Sequence, residues 1–393
     1  MQAIKRTLWG ILVGVSLLWY AADQGNLLAL RGIFEWRNVL NQYTGMLAIS
    51  LMSIAMLLAV RPVVLESRLN GLDKMYRLHK WLGIGALILS ISHWLIANGP
   101  KWAVKLGWLE RRGRPPRPQL LEGSLEQIFS SQRGLAESIG EWAFYLAALL
   151  MVLALIKRFP YRHFFQTHRV LALCYLALVF HSVILFKFAY WPSPAGVVLA
   201  ILLTLGSVAA VLCLLRKHPD RRPVNGVIKA LDWQAASQVL TLDIALDAGW
   251  AGHQAGQFAF IRLDKSEGPH PFTIASAWQG DGHLRFLIKA LGDYTRSLHQ
   301  HCKVGDRVQI EGPYGCFTFA GSGAEQIWVS GGIGFTPFLA RLQTLAGQTS
   351  GIHWFHCVEK IGAEEALDLQ RQAEKSGVQL HLYSGQRLKP ADV

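Results

Sequence analysis

Five cysteines are spread along this chain (Cys174, Cys213, Cys302, Cys316, Cys357), and no two stand in a C-x-x-C or other metal-binding spacing. That excludes a zinc ribbon and a disulfide framework, and it fits a soluble part kept in a reducing compartment. Acidic residues are also few. There are 26 Asp and Glu against 39 Lys and Arg, leaving a net charge of +13. This excess does not imply nucleic acid, because much of it flanks apolar runs, as membrane topology requires. Charged residues make up only 17 % of the chain and apolar ones 51 %, with the apolar runs concentrated before residue 216. The first half reads as membrane-embedded and the second as soluble, and 393 residues leave room for two or three domains.

Six apolar runs are long enough to propose as spans: 7–22, 43–61, 76–98, 138–156, 164–187 and 194–215. The first, led by Lys5 and Arg6 and ending at Ala21-Ala22, also fits a cleaved signal peptide, and either reading gives the same topology. Arg61, Arg68, Lys74, Arg77 and Lys80 then fall on the cytoplasmic side, as do Lys157, Arg158, Arg162, Arg169 and Arg216-Lys217. Residues 99–137 break this pattern. Lys101, Lys105, Arg111, Arg112, Arg114, Arg117 and Arg133 should lie outside. With Trp102, Leu106 and Trp108 nearby, that stretch reads either as an interfacial segment touching anionic lipid or as a basic funnel for an anionic electron acceptor.

Two of the spans carry two histidines each: His79 and His93, then His168 and His181. At 1.5 Å per residue the first pair rises roughly 21 Å and the second roughly 20 Å. Helices packed side by side would oppose His79 to His168 and His93 to His181 at two depths, a cage for two stacked bis-histidine haems. A lone intramembrane histidine is as often a packing or proton-relay residue, but matched pairs on two spans favour iron. One detail is awkward. A step of 14 returns to within about 40° of the same helix face, whereas a step of 13 leaves His181 about 140° from His168. The second helix should be tightened locally, or reach the two haems from different sides. His163 rivals His168, since 18 residues make five whole turns, although its rise would not match the partner helix. Arg77, Lys80 and Arg169 stand where inner haem propionates would lie, or are plain topology signals.

A charged, proline-bearing linker runs from Arg216 to Pro223, and beyond it the pattern changes to short strands. Runs at 239–245, 257–263 and 284–290 predict a small antiparallel barrel to about residue 320. His270-Pro271-Phe272-Thr273 follows one of these strands. There Phe272 can face an isoalloxazine ring and Thr273 can bond near its reactive edge. Gly292-Asp293-Tyr294-Thr295-Arg296 opens a helix, whose free N–H groups suit a flavin pyrophosphate. Gly331-Gly332-Ile333-Gly334-Phe335 after the strand 326–330 repeats that logic for a second dinucleotide, with Thr336 suited to the N-cap and Pro337 to the first helical position. Strands at 352–358 and 378–383 enclose a helix at about 363–375.

Together, the four histidines, the His270–Thr273 box, Gly312-Pro313-Tyr314-Gly315 and the Gly331–Pro337 turn resemble the NADPH oxidase and ferric reductase superfamily over nearly the whole chain. The resemblance implies a six-helix all-α membrane bundle holding two haem b (1–216), an antiparallel β-barrel FAD domain (217–322) and an α/β NADPH- or NADH-binding domain (323–393). It implies electron flow from cytoplasmic nicotinamide through FAD, inner haem and outer haem to an external acceptor, in an integral protein of a bacterial inner or plasma membrane. Two departures qualify it. The family's Cys-Gly-Pro motif near the end of the dehydrogenase does not occur, so the nicotinamide domain reads as C-terminally short, and either the sequence is a fragment or that site is defective or supplied otherwise. A second histidine one turn past the outer ligand marks the superoxide producers, and here that position is Ala97. The expected acceptor is therefore a ferric chelate. Oxygen, with superoxide as product, and a periplasmic protein partner fed by this chain are the alternatives.

Overall fold

The computed structural model describes residues 2–27, 32–110, 121–156, 161–215, 223–264, 268–319, 325–345 and 351–385. The chain divides into two compact units, Met1–Asp220 and Arg221–Val393.

Among its described residues, every element of the first unit is a helix. Its elements are α1 (Gln2–Leu27), α2 (Ile33–Ala59), a short α3 (Val63–Arg68), α4 (Leu72–Lys105), α5 (Leu125–Leu155), α6 (Tyr161–Leu185), a 3₁₀ turn (Phe188–Tyr190) and α7 (Pro194–Leu215). Five of these helices (α2, α4, α5, α7 and the Gln166–Leu185 part of α6) are long and apolar enough to cross a membrane. The sixth expected span, α1, is a continuous helix that falls outside that set. Lys5, Arg6, Asp23 and Gln24 dilute its ends, yet Val15 and Trp19 are buried in the bundle core. Buried Asp23, near its end, accepts a hydrogen bond from Tyr190 and lies 3.8 Å from Lys187 Nζ, fastening α1 to the turn before α7.

Most of the described residues in the stretch expected as an outer loop, 99–137, are helical. α4 continues past Pro100 to Lys105, and α5 begins at Leu125, well before the expected 138. Ser124 starts α5 as a side-chain N-cap, accepting from Gln127 N at 3.2 Å, while Gln127 Oε1 accepts from Gly123 N at 2.6 Å. Arg111, Arg112, Arg114 and Arg117 lie outside the described residues.

The second unit opens with six antiparallel strands: β1 (Val224–Gln234), β2 (Val239–Leu246), β3 (Phe258–Arg262), β4 (His270–Thr273), β5 (His283–Lys289) and β6 (Arg307–Tyr314), with helix α8 (Asp293–His301) between β5 and β6. Their order is β4-β3-β6-β1-β2-β5, and a bridge from Ile274 to Phe286 joins the two end strands, closing the sheet into a barrel. Alternate positions point inward, and Ile228, Leu242, Ile244, Phe286 and Ile310 fill the core.

A parallel sheet follows, ordered β7 (Gln326–Gly331), β8 (Ile352–Val358), β9 (Val378–Ser384), with a 3₁₀ turn (Gly332–Phe335), α9 (Thr336–Leu342) and α10 (Ala363–Lys375). Trp328 and Trp354 pack with Phe338 of α9 and Leu369 and Ala373 of α10. Ile327 and Val329, which alternate with Trp328, are exposed. Gln343 bonds to the Ala277 N–H and to the Ala275 carbonyl, and Ser237 to Glu365, so barrel and α/β sheet form one body.

Candidate functional site

In the helical unit the four histidines meet as two opposed pairs. The His79 and His168 ring centres are 6.0 Å apart with planes at 62°, and those of His93 and His181 are 6.4 Å apart at 83°. An imidazole nitrogen binds a first-row metal at about 2 Å and its ring centre lies about 1 Å behind, so two imidazoles on one iron have centres roughly 6 Å apart. Both spacings fit haem iron.

The ring tautomers fit as well. His79 Nδ1 lies 2.9 Å from the Ala55 carbonyl and His181 Nδ1 lies 2.8 Å from the Ala136 carbonyl. A carbonyl only accepts, so Nδ1 carries the proton and Nε2 keeps its lone pair for a metal. Thr44 Oγ1 donates to Leu40 O at 2.7 Å and is thereby turned to accept from His93 Nδ1 at 3.1 Å. Only His168 Nδ1 has no hydrogen-bond partner among the described residues; its ring stacks on Phe164, 4.9 Å away. The side chain of His163 lies outside the described residues.

The 13-residue step on α6 is resolved by direction, because that helix runs unbroken from Tyr161 to Leu185. His181 turns onto α5, whereas His168 lies along its own helix on Phe164.

A cavity of about 1370 Å³ surrounds the His93–His181 pair, walled by α2, α4, α5 and α6 and reaching inward to Met52 and Met151. Toward the end where α5 begins, its walls carry Arg37, Lys101, Arg133 and Lys187 but also Asp23, Glu35, Glu126, Glu137 and Glu141. Arg133 pairs with Glu137 at 3.0 Å. The basic funnel is therefore not found among the described residues, since five acids offset four bases. Ala97 presents its carbonyl to Arg37 Nε and Nη2, at 3.2 and 2.9 Å. Near the other pair, Arg169 donates to the Leu214 carbonyl at 2.6 Å, tying α6 to the end of α7.

In the second unit the two predicted flavin elements converge. The His270 ring stacks on Tyr294 with centres 4.1 Å apart and planes at 14°. His270 and Phe272 share a face of β4 (6.4 Å), with Pro271 and Thr273 on the other face. Burial holds the His270 imidazole neutral by lowering its pKa to about 4. Gly292 caps α8, whose first turn has N–H groups free of intrahelical acceptors. Thr295 is committed locally. Its Oγ1 accepts from the N–H groups of Leu291 and Gly292 and donates to the Gly292 carbonyl, so it shapes the helix start.

Gly312 adopts φ +157° and packs on Ala259. Tyr314 is turned inward. It is 2 % exposed, donates to Glu311 and packs on Phe258 and Phe260. Two contributors carried no strong sequence signal. Tyr294 is one. Gln257 is the other, bonding Gly315 O at 3.3 Å through Nε2 and the Gln254 N–H at 2.8 Å through Oε1.

The second glycine turn also differs in detail. Gly332–Phe335 forms a 3₁₀ turn that leads directly into α9. Thr336 is helical rather than the N-cap, buried at 3 % with Oγ1 donating to the Ile333 carbonyl, and Pro337 follows inside the first turn. Gly331 and Gly334 are exposed, and Gly332 takes φ +50°. His356, hydrogen-bonded to Ser330 at 2.9 Å, packs beneath Phe335.

A family model described as a ferric reductase like transmembrane component matches residues 44–179, taking in His79, His93 and His168, and an FAD-binding domain model matches residues 228–318. That succession is the architecture of the ferric reductase and NADPH oxidase superfamily, built of oxidoreductase-type domains in an integral membrane protein. Among curated proteins the chain is similar to the propane 2-monooxygenase reductase component of Rhodococcus jostii, 30 % identical over 119 residues (29 % of this chain, 31 % of that one). It is similar to the flavohemoprotein of Pseudomonas putida, 33 % identical over 118 residues (29 % and 30 %). The heme-dependent oxidative N-demethylase beta subunit of Ectopseudomonas mendocina is 41 % identical over 95 residues (24 % and 30 %). These matches span about three tenths of each relative's length. Among solved structures, the FAD/NAD-binding domain of nitric oxide dioxygenase from Vibrio cholerae aligns with a TM-score of 0.38 at 20 % identity, covering 44 % of this chain and 82 % of that one.

Proposed function

We propose that this chain, with the architecture of that superfamily, is a transmembrane reductase. It carries electrons from NADH or NADPH through FAD and two b-type haems to an acceptor across the membrane, ferric chelates above all. The observation that carries the reading is the geometry of the histidine pairs: two ring separations matching one iron each, with Nδ1 engaged on three of the four rings.

Haem held by these imidazoles would supply single-electron transfer. The chain's own residues supply the rest. His79 with His168, and His93 with His181, fix iron at two depths roughly 20 Å apart along the helices, because one hop across about 30 Å of hydrocarbon is too long. The basic residues at the α2–α4 connection, among them Arg61, Arg68 and Lys74, put the His79–His168 end at the cytoplasm by the positive-inside rule. The cavity around His93 and His181 then faces outward and admits the acceptor beside the haem edge.

In the soluble unit, the Phe272 face of β4 orients an isoalloxazine ring. The first turn of α8 at Gly292 receives the pyrophosphate, and Gly331–Pro337 receives the nicotinamide dinucleotide. FAD held there would supply the conversion of a two-electron hydride into single electrons. With Ala97 one turn past His93, the wall offers a backbone carbonyl held by Arg37 and no second imidazole, which favours outer-sphere reduction of a metal chelate over oxygen.

The test uses proteoliposomes with NADPH or NADH inside and a ferric chelate outside. Ferrous product should form at a rate that superoxide dismutase and removal of oxygen leave unchanged. A rate abolished by superoxide dismutase would make oxygen the acceptor and overturn the ferric reading.

A further inference from the structure

The two histidine pairs are not seated alike. α6 has to offer His168 and His181 from faces about 140° apart, and it does so without a break. The inner pair is held by ordinary contacts, His79 on the Ala55 carbonyl and His168 on Phe164. Each ring of the outer pair lies against a glycine of a different helix.

A Cβ placed on Gly140 of α5 would fall 1.9 Å from His181 Nδ1 and 2.5 Å from its Cγ and Cε1. The ring thus occupies the space any side chain would need, and one turn earlier Ala136 accepts its Nδ1–H. On the opposite wall, a Cβ on Gly45 of α2 would fall 3.2 Å from His93 Cε1 and 3.4 Å from its Nδ1, beside the Thr44 hydroxyl that accepts from that ring. The glycines of α4 nearest the bundle centre do something else: Gly85 meets Leu51 and Gly83 meets Met151.

We propose that Gly140 and Gly45 are positioning residues for the outer haem. They form two slots that turn His181 and His93 to their near-perpendicular 83° arrangement and aim both Nε2 atoms at one iron. The inference rests on the haem reading given above. It makes α5 a third wall of the outer site, which explains how a 13-residue step serves two depths. It also separates the sites. Filling the Gly140 slot displaces His181 from the Ala136 carbonyl and from the iron position, and leaves His79 and His168 untouched.

The test compares the full wild-type chain in detergent with Gly140→Ala, Gly45→Ala and, as a control on the same helix, Gly134→Ala, where a Cβ meets nothing within 4 Å. Haem is counted per chain by the pyridine haemochrome. Low-temperature EPR of the ferric protein reports the angle between ligand planes, and potentiometric titration separates the two components. Gly140→Ala should lose about half of the haem, since one of two bis-imidazole sites goes, and the missing EPR component should be the one with more nearly perpendicular planes. Gly45→Ala, where the neighbour need give only a few tenths of an ångström, should keep both haems and move the outer signal alone. Gly134→Ala should match wild type.

Wild-type protein without haem would sink the underlying reading. Wild type with two haems and a Gly140→Ala variant equal to it would overturn the glycine inference by itself, as would equal loss from both components. Should Gly140→Ala fail to accumulate, Gly45→Ala decides, with a shifted outer signal for the inference and an unshifted one against it.

Discussion

His181→Ala is expected to leave the protein with a single haem and to lower nicotinamide-driven reduction of an external acceptor by more than about 100-fold, since losing even an outer-shell partner of a metal ligand costs roughly 10–100-fold in affinity. The substitution removes a ligand and the ring that fills the Gly140 slot, leaving His93 without an opposite imidazole. Electrons then reach the His79–His168 level and stop, with a rise of roughly 21 Å between His79 and His93 still to cross. The inner site should survive, because its contacts, Ala55 and Phe164, lie at the other end of the bundle. Haem per chain, reduction of the remaining haem by NADPH or NADH, and acceptor turnover separate these effects. Retention of both haems with turnover near wild type would remove His181 from the iron.

Gly256→Ala should strip flavin from the protein while leaving the haem content alone. Gly256 sits at φ +100°, a conformation that costs a side chain about 1–3 kcal/mol. Its Cβ would fall 2.4 Å from the Phe317 carbonyl oxygen and 2.7 Å from the Phe317 ring, and overpacking of this kind adds roughly 1–3 kcal/mol. The contact that gives way is the one holding the flavin elements together. Gln257 ties this turn to Gly315, and its carbonyl accepts from Ile274 N at 3.0 Å, where the His270–Thr273 strand ends and the barrel closes. A loss of that size lowers the flavin release temperature by at least about 4 °C, given roughly 2–4 °C per kcal/mol for a domain of this length. Flavin fluorescence during heating, alongside the haem spectrum, reads both units in one sample. An unchanged flavin ratio and release temperature would mean that the turn yields freely and does not support the site.

The histidine pairing was legible because helical rise is a property of the backbone alone: 14 and 13 residues give matching heights whatever surrounds them. Which way each ring turns was not, since His181 is oriented by Ala136 and Gly140 of another helix, and glycine is too common in membrane helices to mark a slot in advance. The early start of α5 escaped a reading based on apolar runs, because Glu126, Arg133 and Glu137 dilute its first four turns; the Ser124–Gln127 cap was the available sign. Of the basic funnel, Arg111, Arg112, Arg114 and Arg117 lie outside the described residues, and the described walls of the cavity are mixed in charge. Net charge over residues 99–137 says nothing of which side chains face a cavity, and the walls draw their acids from α1, α2 and α5 as well. In the second unit the His270 and Gly292 motifs were visible separately, while the stack of His270 on Tyr294 depends on how the barrel brings β4 to α8.

The most direct test of the central claim is a reduced-minus-oxidised spectrum of the purified chain supplied with FAD, taken once with dithionite and once with NADPH or NADH. The account predicts a b-type haem band with dithionite that resolves into two components on titration, and the same band with nicotinamide. No b-type band with dithionite would contradict it.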